Sequence, residues 1–209
     1  MKKFKIFINF EKEEKWLEQM ASQGWLLKKQ SFFYTFIPVA PGEANIKIDY
    51  RYFSKNEDFQ EYLSLFEDSG WQHIAGTKMS GNQYFKRACE NSNEDIFSDS
   101  TSRAGRYKRV ANMMLTVIIL LLPFIIISIF QGTLFNINVL INPKTLYYTP
   151  GLWERSGPEF WSAFMFETPF ALMRGFSGVI LSMLILAYLF LTVRSWIIYR
   201  RATITESEY

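Results

Sequence analysis

The stretch VANMMLTVIILLLPFIIISIF, residues 110–130, decides how the rest of the chain is organised. It carries no charged side chain, and its length is close to the roughly 20 apolar residues that a helix needs to cross the hydrocarbon core of a bilayer. A backbone inside lipid must satisfy its own hydrogen bonds, which favours a helix over a strand. Pro123 removes one helical hydrogen bond, so we expect a kink there. The stretch predicts a first membrane span.

A second uncharged stretch, residues 176–193, predicts another span. We extend this span to Tyr199, because Arg194 lies close enough to its end for the charge to reach the headgroups. Trp196 and Tyr199 suit the aromatic belt at the membrane surface. The two spans, 110–130 and 176–199, predict a multi-pass protein of the cell membrane.

Within the second span, Gly178 and Ser182 place small residues on one helix face. Small residues let helices approach closely in lipid, so we expect a contact with the first span here. No acidic residue lies at mid-depth in either span, which gives little support to a path for ions or protons.

Basic residues at the ends of the spans predict the orientation. Those before the first span form what we call the basic cluster: Arg103, Arg106, Lys108 and Arg109. Arg200 and Arg201 follow the second span, whereas acidic and basic residues balance over 131–175. We therefore expect both termini in the cytoplasm and the segment 131–175 on the far side. The basic cluster is also expected to bind anionic lipid headgroups, although its role in topology would alone explain it.

Composition leaves room for one small soluble domain besides the membrane unit in a chain of 209 residues. The formal charge of +3 is small and gives no argument for binding to nucleic acid. A single cysteine, Cys89, excludes an intramolecular disulfide and suits a cytoplasmic domain. One histidine and one cysteine also leave little from which to build a zinc site. We expect no cofactor.

The first 89 residues contain strand and helix patterns in the same order twice. Strands are predicted over 2–10, 31–37, 45–53 and 83–87, and helices over 11–21 and 56–69. A Gly-Trp pair follows each helix, at Gly24-Trp25 and at Gly70-Trp71, which indicates an internal duplication. Two strand–helix–strand units in series form the ferredoxin-like α+β arrangement β-α-β-β-α-β, with a four-stranded antiparallel sheet and both helices on one face.

The predicted domain organisation has four parts. Residues 1–89 form the cytoplasmic ferredoxin-like domain, and the polar, acidic residues 90–105 form a flexible linker. Residues 106–201 form the membrane unit with its two spans and the far-side segment. Residues 202–209 are a short cytoplasmic tail.

Several motifs in this domain occur in an order that resembles a known bacterial family. They are the run Phe10–Trp25, the triplet Tyr50-Arg51-Tyr52, the run Glu61–Trp71 and the tetrapeptide Tyr84-Phe85-Lys86-Arg87. Together they resemble the DUF2812 group, a family of unknown function. The resemblance covers about residues 4–88. It implies a soluble domain joined to a few membrane spans, often encoded beside a PadR-type transcriptional regulator, and by association a regulatory or stress-linked role.

No motif of the sequence predicts catalysis. The glycine-rich phosphate-binding patterns are missing. His73 has no nucleophile near it in a recognisable pattern and is better explained as a polar residue after a helix cap. Cys89 is better explained as an ordinary thiol than as a redox or palmitoylation site. We therefore expect no catalytic, cofactor-binding or metal-binding residue and predict that the protein is not an enzyme.

A candidate docking face follows from the alternation of the predicted strands. Phe7, Lys47, Asp49 and Arg51 are expected on the side of the sheet opposite to Ile48. An aromatic and basic sheet face can stack RNA bases, but the strand motif of RNA-recognition modules is missing. Docking of a protein partner or self-association is the stronger alternative, and a plain solvated face stays open.

Two functional hypotheses follow. The first is a non-enzymatic, membrane-anchored regulatory or sensory protein whose cytoplasmic domain docks a protein partner or a second copy. The second is an accessory subunit of a membrane transport or immunity complex, in which the spans carry the function and the soluble domain is a dock. The expected partners are membrane lipids and a protein, and not nucleic acid.

Overall fold

The computed structural model describes residues 1–89, 92–132 and 141–207, with backbone alone at 202 and 204–207. It is a mixed α+β structure with two three-stranded sheets and two long apolar helices. The chain divides into two compact units. The first unit comprises Met1–Ala111 together with the C-terminal residues from Arg194, and the second comprises Asn112–Val193.

The first unit is built from two halves with the same order of elements. The first half contains β1 (Lys2–Lys3), α1 (Phe10–Ser22), β2 (Trp25–Gln30) and β3 (Tyr34–Pro38). The second half contains β4 (Ile46–Tyr50), α2 (Asn56–Asp68), β5 (Trp71–Ala75) and β6 (Asn82–Arg87). Two long helices follow, α3 (Ser100–Phe130) and α4 (Gly157–Ser207).

The two sheets have equivalent strand orders, in agreement with the internal duplication. The first sheet has the order β1-β3-β2 and the second has the order β4-β6-β5, with antiparallel pairing throughout. The repeated unit is therefore β-α-β-β rather than the expected β-α-β. The ferredoxin-like order, one four-stranded sheet, is not confirmed, because the segment after each helix forms a hairpin of two strands instead of a single strand.

The two Gly-Trp pairs mark the same point in both halves. Gly24 and Gly70 have φ of 83° and 79°, the left-handed region that glycine adopts at low cost. Each glycine follows the end of a helix, and Trp25 or Trp71 begins the next strand. The glycine thus turns the chain sharply from helix to sheet in both halves.

The N-terminal segment departs from the predicted strand over 2–10. Strand pairing is limited to Lys2 and Lys3, and α1 begins at Phe10. The side chain of Asn9 accepts a hydrogen bond from the Lys12 N–H at 2.9 Å, which caps the helix. Phe4, Ile6 and Ile8 lie between β1 and this cap, and all three side chains are exposed.

Each sheet packs on the helix of its own half. In the first half, the Trp16 ring of α1 lies 5.0 Å from the Tyr34 ring and 5.6 Å from the Phe36 ring of β3. In the second half, the Phe66 ring of α2 stacks 4.2 Å from Phe85 of β6. Strands β2 and β5 are in contact, so the halves meet there.

Helix α3 begins inside the first unit rather than beyond a linker. Ala104, Arg106, Tyr107 and Ala111 of its first turns are buried. Of the predicted linker 90–105, the described part also packs on the domain, since Ile96 contacts the core cluster of α2, β5 and β6.

The second unit contains most of both apolar helices. Helices α3 and α4 are long and apolar enough to cross a membrane, and their most apolar windows are almost entirely exposed. The predicted spans lie within them, and α3 continues through Pro123. Helix α4 runs unbroken from Gly157, so the helix that contains the second predicted span begins within the segment 131–175.

Candidate functional site

Strand β4 lies at the edge of its sheet, so one side of its backbone has no strand partner. An open edge invites pairing with other chains unless it is covered. Here α1 covers it with two carboxylates. The N–H of Ile46 donates to Glu18 at 3.2 Å, and the N–H of Ile48 donates to Glu14 at 3.0 Å. Four residues of helix rise about 6 Å and two residues of strand about 6.6 Å, so the two acids match the two N–H groups in spacing.

Two arginines of α3 satisfy the carbonyl groups of the same edge. Arg106 Nη1 donates to the carbonyl of Ile48 at 2.6 Å, and Arg109 Nε donates to the carbonyl of Tyr50 at 2.6 Å. Arg109 also pairs with the carboxylate of Asp49. We call this set the β4-edge site, formed by Glu14, Glu18, Arg106 and Arg109 around β4. It closes the sheet edge with side chains from two helices.

Arg106 is the centre of the β4-edge site. Its side chain is 1% exposed and bridges Glu14 at 2.5 Å and Glu11 at 2.8 Å. The guanidinium carbon lies 4.8 Å from the centre of the Phe10 ring, a cation–π distance. Its Nε is buried without a hydrogen-bond partner among the described residues. Burial alone would lower the pKa of Arg106, but Glu14 and Glu11 raise it, so the guanidinium is charged at every physiological pH.

Tyr107 fixes the same turn of α3 to the start of α1. Its hydroxyl donates to Glu11 Oε2 at 2.5 Å and accepts from the N–H of Phe10 at 3.1 Å. Burial would raise the pKa of Glu11, but the bonds from Tyr107 and Arg106 hold it below its ordinary value. Glu11 is therefore ionised, and the first turn of α1 and the third turn of α3 are joined by charged hydrogen bonds.

A second buried acid joins the two halves of the domain. Glu13 Oε1 accepts from the Tyr34 hydroxyl of β3 at 2.8 Å and from the Tyr84 hydroxyl of β6 at 2.7 Å. Burial raises the pKa of Glu13, and the two tyrosine bonds oppose that rise only in part. Helix α1 thus contacts both sheets through polar groups as well as through its apolar face.

The predicted docking face is not one open surface in the structure. Asp49 is 4% exposed and accepts from the Tyr62 hydroxyl at 2.9 Å. Lys47 is half-buried beside Glu18, and the Arg51 guanidinium lies 5.7 Å from the Tyr62 ring. Phe7 is outside any strand and packs against Trp16. Both faces of β4 are covered by other parts of the domain. The alternation along this strand therefore directs side chains to two buried faces and not to one buried and one solvated face.

Each member of the basic cluster has a partner within the first unit. Arg106 and Arg109 belong to the β4-edge site, and Arg103 pairs with Asp95. The Lys108 ammonium lies 5.5 Å from the centre of the Tyr199 ring of α4. Binding of the cluster to headgroups stays a prediction.

Gly178, Ser182, His73 and Cys89 lie outside the β4-edge site. Gly178 and Ser182 are both buried on one face of α4, where the Ser182 hydroxyl donates to the Gly178 carbonyl at 2.8 Å. His73 shares a hydrogen bond of 3.0 Å with Gln83, and burial lowers its pKa. Cys89 is exposed. Among the described residues, no group of three or more His, Cys, Asp or Glu could hold a metal ion.

A small cleft of about 160 Å³ opens beside the β4-edge site. Acidic and basic side chains line it in equal number: Glu11, Glu14, Glu18, Asp95, Lys15, Lys47, Arg103 and Arg106. The sequence did not point to this arrangement. The only signal for it was the spacing of Glu11, Glu14 and Glu18 on one side of a helix, where a solvated face is the ordinary explanation.

The architecture defines a class, an α+β domain whose open sheet edge is closed by the first turns of a long apolar helix. Residues 9–119 match the model of a family described as a protein of unknown function, DUF2812, and the chain belongs to this family. The matched region includes the whole β4-edge site and ends within α3. No curated protein and no solved structure matches the chain.

Proposed function

We propose that this protein is a non-enzymatic, membrane-anchored regulatory or sensory protein in which the β4-edge site couples the cytoplasmic domain to the first membrane helix. One observation carries the proposal. Arg106 lies on the same unbroken helix as the apolar stretch 110–130, yet its side chain is buried against α1 and β4. The helix that would enter the membrane is therefore also a structural part of the soluble domain.

The chemistry of this joint favours two discrete positions over gradual sliding. A buried guanidinium that loses its carboxylate leaves an unpaired charge in a low-dielectric interior, which costs about 3–5 kcal/mol. Movement of α3 would break the bonds of Arg106, Tyr107 and Arg109 together. A partner that displaces α1 or β4 would in turn release α3, which is the two-state element that a regulatory device requires.

The partner in this proposal is a protein, either a cytosolic regulator or a second copy of the chain. Lys47 and Arg51 flank the β4-edge site and are accessible from solvent in part. A binding partner there would contact the residues next to Glu14 and Arg109 directly. The resemblance to a family often encoded beside PadR-type regulators makes a transcriptional regulator the first candidate. The proposed topology places both termini in the cytoplasm, where such a partner is found.

Photo-crosslinking in intact cells tests the proposal. A photoreactive amino acid replaces Arg51 in the full chain, and the adducts are compared with those of the same chain carrying Arg106→Ala. We expect one discrete adduct with a protein partner or a second copy, lost in the Arg106→Ala background while the chain stays in the membrane fraction. The same probe at Leu65, exposed on α2, is the matched control. Identical adducts in both backgrounds would contradict the coupling.

A feature of the second unit favours the alternative function, an accessory subunit of a transport or immunity complex. The segment before α4 is folded onto its first turns, since the Tyr147 ring stacks 5.3 Å from Phe164 and lies 5.2 Å from Trp153. Glu167 accepts from the Thr149 hydroxyl at 2.6 Å and pairs with Arg174. The segment before α4 and the first turns of α4 therefore form a packed surface, which on the far side of the membrane would suit contact with another membrane subunit. Co-purification with a transporter subunit in mild detergent would support this function over the first.

A further inference from the structure

The hairpin between β2 and β3 ends in an exposed aromatic patch. Phe32 and Phe33 lie at its tip and are 74% and 43% exposed, and Phe4, after β1, is 55% exposed. The Phe4 ring lies 5.3 Å from Phe32 and 5.9 Å from Phe33, and the two tip rings are 5.1 Å apart. We call these three residues the aromatic tip. They pack on each other and leave most of their apolar surface in water, which marks an interaction site.

The strands and loops that carry the aromatic tip are basic. Residues 1–10 and 25–42, which form the first sheet and its loops, contain no acidic residue. They contain five exposed lysines: Lys2, Lys3, Lys5, Lys28 and Lys29. In the sheet, Lys2 and Lys29 both lie opposite Thr35, so they flank the central strand just below the tip. The patch therefore combines aromatic rings with lysines on both strands that neighbour β3.

We propose that the aromatic tip inserts into the headgroup region of an anionic lipid bilayer. Aromatic side chains favour the interface between hydrocarbon and water, and lysines next to them are attracted to acidic headgroups. The inference rests on the proposed membrane anchoring, which would keep this domain beside the acidic inner leaflet.

A second copy of the chain is the less suitable occupant of the same patch. A two-fold contact would bring the same surface of each copy together and so place five lysines against five lysines. Like charges at that distance oppose association, whereas an anionic lipid surface neutralises them. Charge complementarity therefore favours an anionic bilayer over a second copy as the partner of the aromatic tip.

Depth-dependent fluorescence quenching tests this docking in the full chain. Cys89→Ser removes the single cysteine, and an environment-sensitive dye is then placed at Phe32→Cys, Met79→Cys or Phe124→Cys. Each labelled chain is reconstituted in nanodiscs of phosphatidylcholine, with or without phosphatidylserine, and with spin-labelled lipid as quencher. Position 79 is the exposed control on the same domain, and position 124 lies in the predicted first span.

We expect a blue shift and quenching by spin-labelled lipid at position 32 in discs that contain phosphatidylserine, and neither at position 79. Replacing the five lysines by glutamine should abolish the quenching at position 32, and added salt should weaken it. A dye at position 32 as accessible to water as the dye at 79, with quenching at 124 retained, would overturn the docking but leave the anchoring intact. A blue shift that follows protein concentration without lipid quenching would overturn it in favour of a second copy. Loss of quenching at position 124 would instead contradict the anchoring.

Discussion

Arg106 is the residue on which the coupling of helix to domain depends. It bridges two acids of α1, a carbonyl of β4 and the ring of Phe10, all with a side chain that is almost completely buried. A charge in such a place is stable only because its partners are complete. The same residue type at the cytoplasmic end of an apolar stretch ordinarily has a much weaker role, that of fixing topology.

The first prediction concerns the removal of this charge. Arg106→Ala should lower the free energy of unfolding of residues 1–111 by about 3–5 kcal/mol, because it leaves Glu14 buried without its cation. Arg103→Ala is the control. It removes the pair between Asp95 and Arg103, whose side chain is about half exposed, and should cost less than about 1 kcal/mol. Urea unfolding followed by circular dichroism measures both. Equal effects of the two changes would show that burial of Arg106 adds nothing to the free energy of unfolding.

A second prediction concerns the titration of Glu13. Because burial raises its pKa in the folded state, the folded domain binds this proton more tightly than the unfolded chain, whose value is near 4.5. Stability is therefore lost as pH rises from about 4.5 through the folded pKa. Glu13→Gln keeps an oxygen that can accept from Tyr34 and Tyr84 but removes the charge.

We expect Glu13→Gln to be more stable than wild type at pH 7, because the folded chain then no longer buries a carboxylate charge. The difference should vanish below the unfolded pKa of about 4.5. Urea unfolding across this pH range measures it. A constant destabilisation at every pH would mean that the two tyrosine bonds require the carboxylate.

At the scale of elements, α3 belongs to both units of the molecule, as α4 also does. The first turns of α3 are buried in the domain, and its later turns form an exposed apolar helix. The domain is thus incomplete without residues beyond the last strand, β6. Without α3, the carbonyl groups of Ile48 and Tyr50 would lose their arginine donors and the edge of β4 would be open.

The third prediction follows from that dependence. A fragment of residues 1–111 should be a folded monomer, whereas a fragment of residues 1–89 should unfold at lower urea concentration or associate through the open edge of β4. Size-exclusion chromatography and urea unfolding compare the two. Equal stability and equal size of the fragments would show that α3 is dispensable for the fold.

The helices and the duplication could be predicted from the sequence, because they depend on local signals. The Gly-Trp pairs, the periodicity of α1 and α2 and the apolar stretch at 110–130 each act within a few residues. The strand pairing could not. The segment after Gly24 contains two strands joined by residues 31–33. Nothing in its pattern of apolar residues distinguishes a hairpin from one long strand.

The β4-edge site could not be predicted from the sequence either, for a different physical reason. Arg106 and Glu14 lie 92 positions apart, and each has a simpler local explanation, a topology signal and a favourable charge in the first turn of a helix. Asp49 was expected on the outward face of the sheet, but alternation shows only that the two faces of a strand differ. It does not show that both are covered.

At the scale of the whole molecule, two long apolar helices follow a domain of polar and aromatic surface. The fourth prediction uses the single cysteine as a reporter of membrane topology. Cys89 is exposed, so a membrane-impermeant maleimide should label it only after cells are permeabilised. The chain should also stay in the pellet after alkaline carbonate extraction. Labelling of Cys89 in intact cells would contradict a cytoplasmic domain, and release by carbonate would contradict the two spans.

Hydrogen exchange of α3 in the full chain, reconstituted in nanodiscs, tests the central claim most directly. The amides of residues 100–111 should exchange as slowly as those of strands β4 and β6, and Arg106→Ala should speed exchange in all three segments together, with Arg103→Ala as control. Fast exchange of residues 100–111 in the wild-type chain, as in a flexible linker, would show that α3 is only tethered to the domain and is not part of its fold.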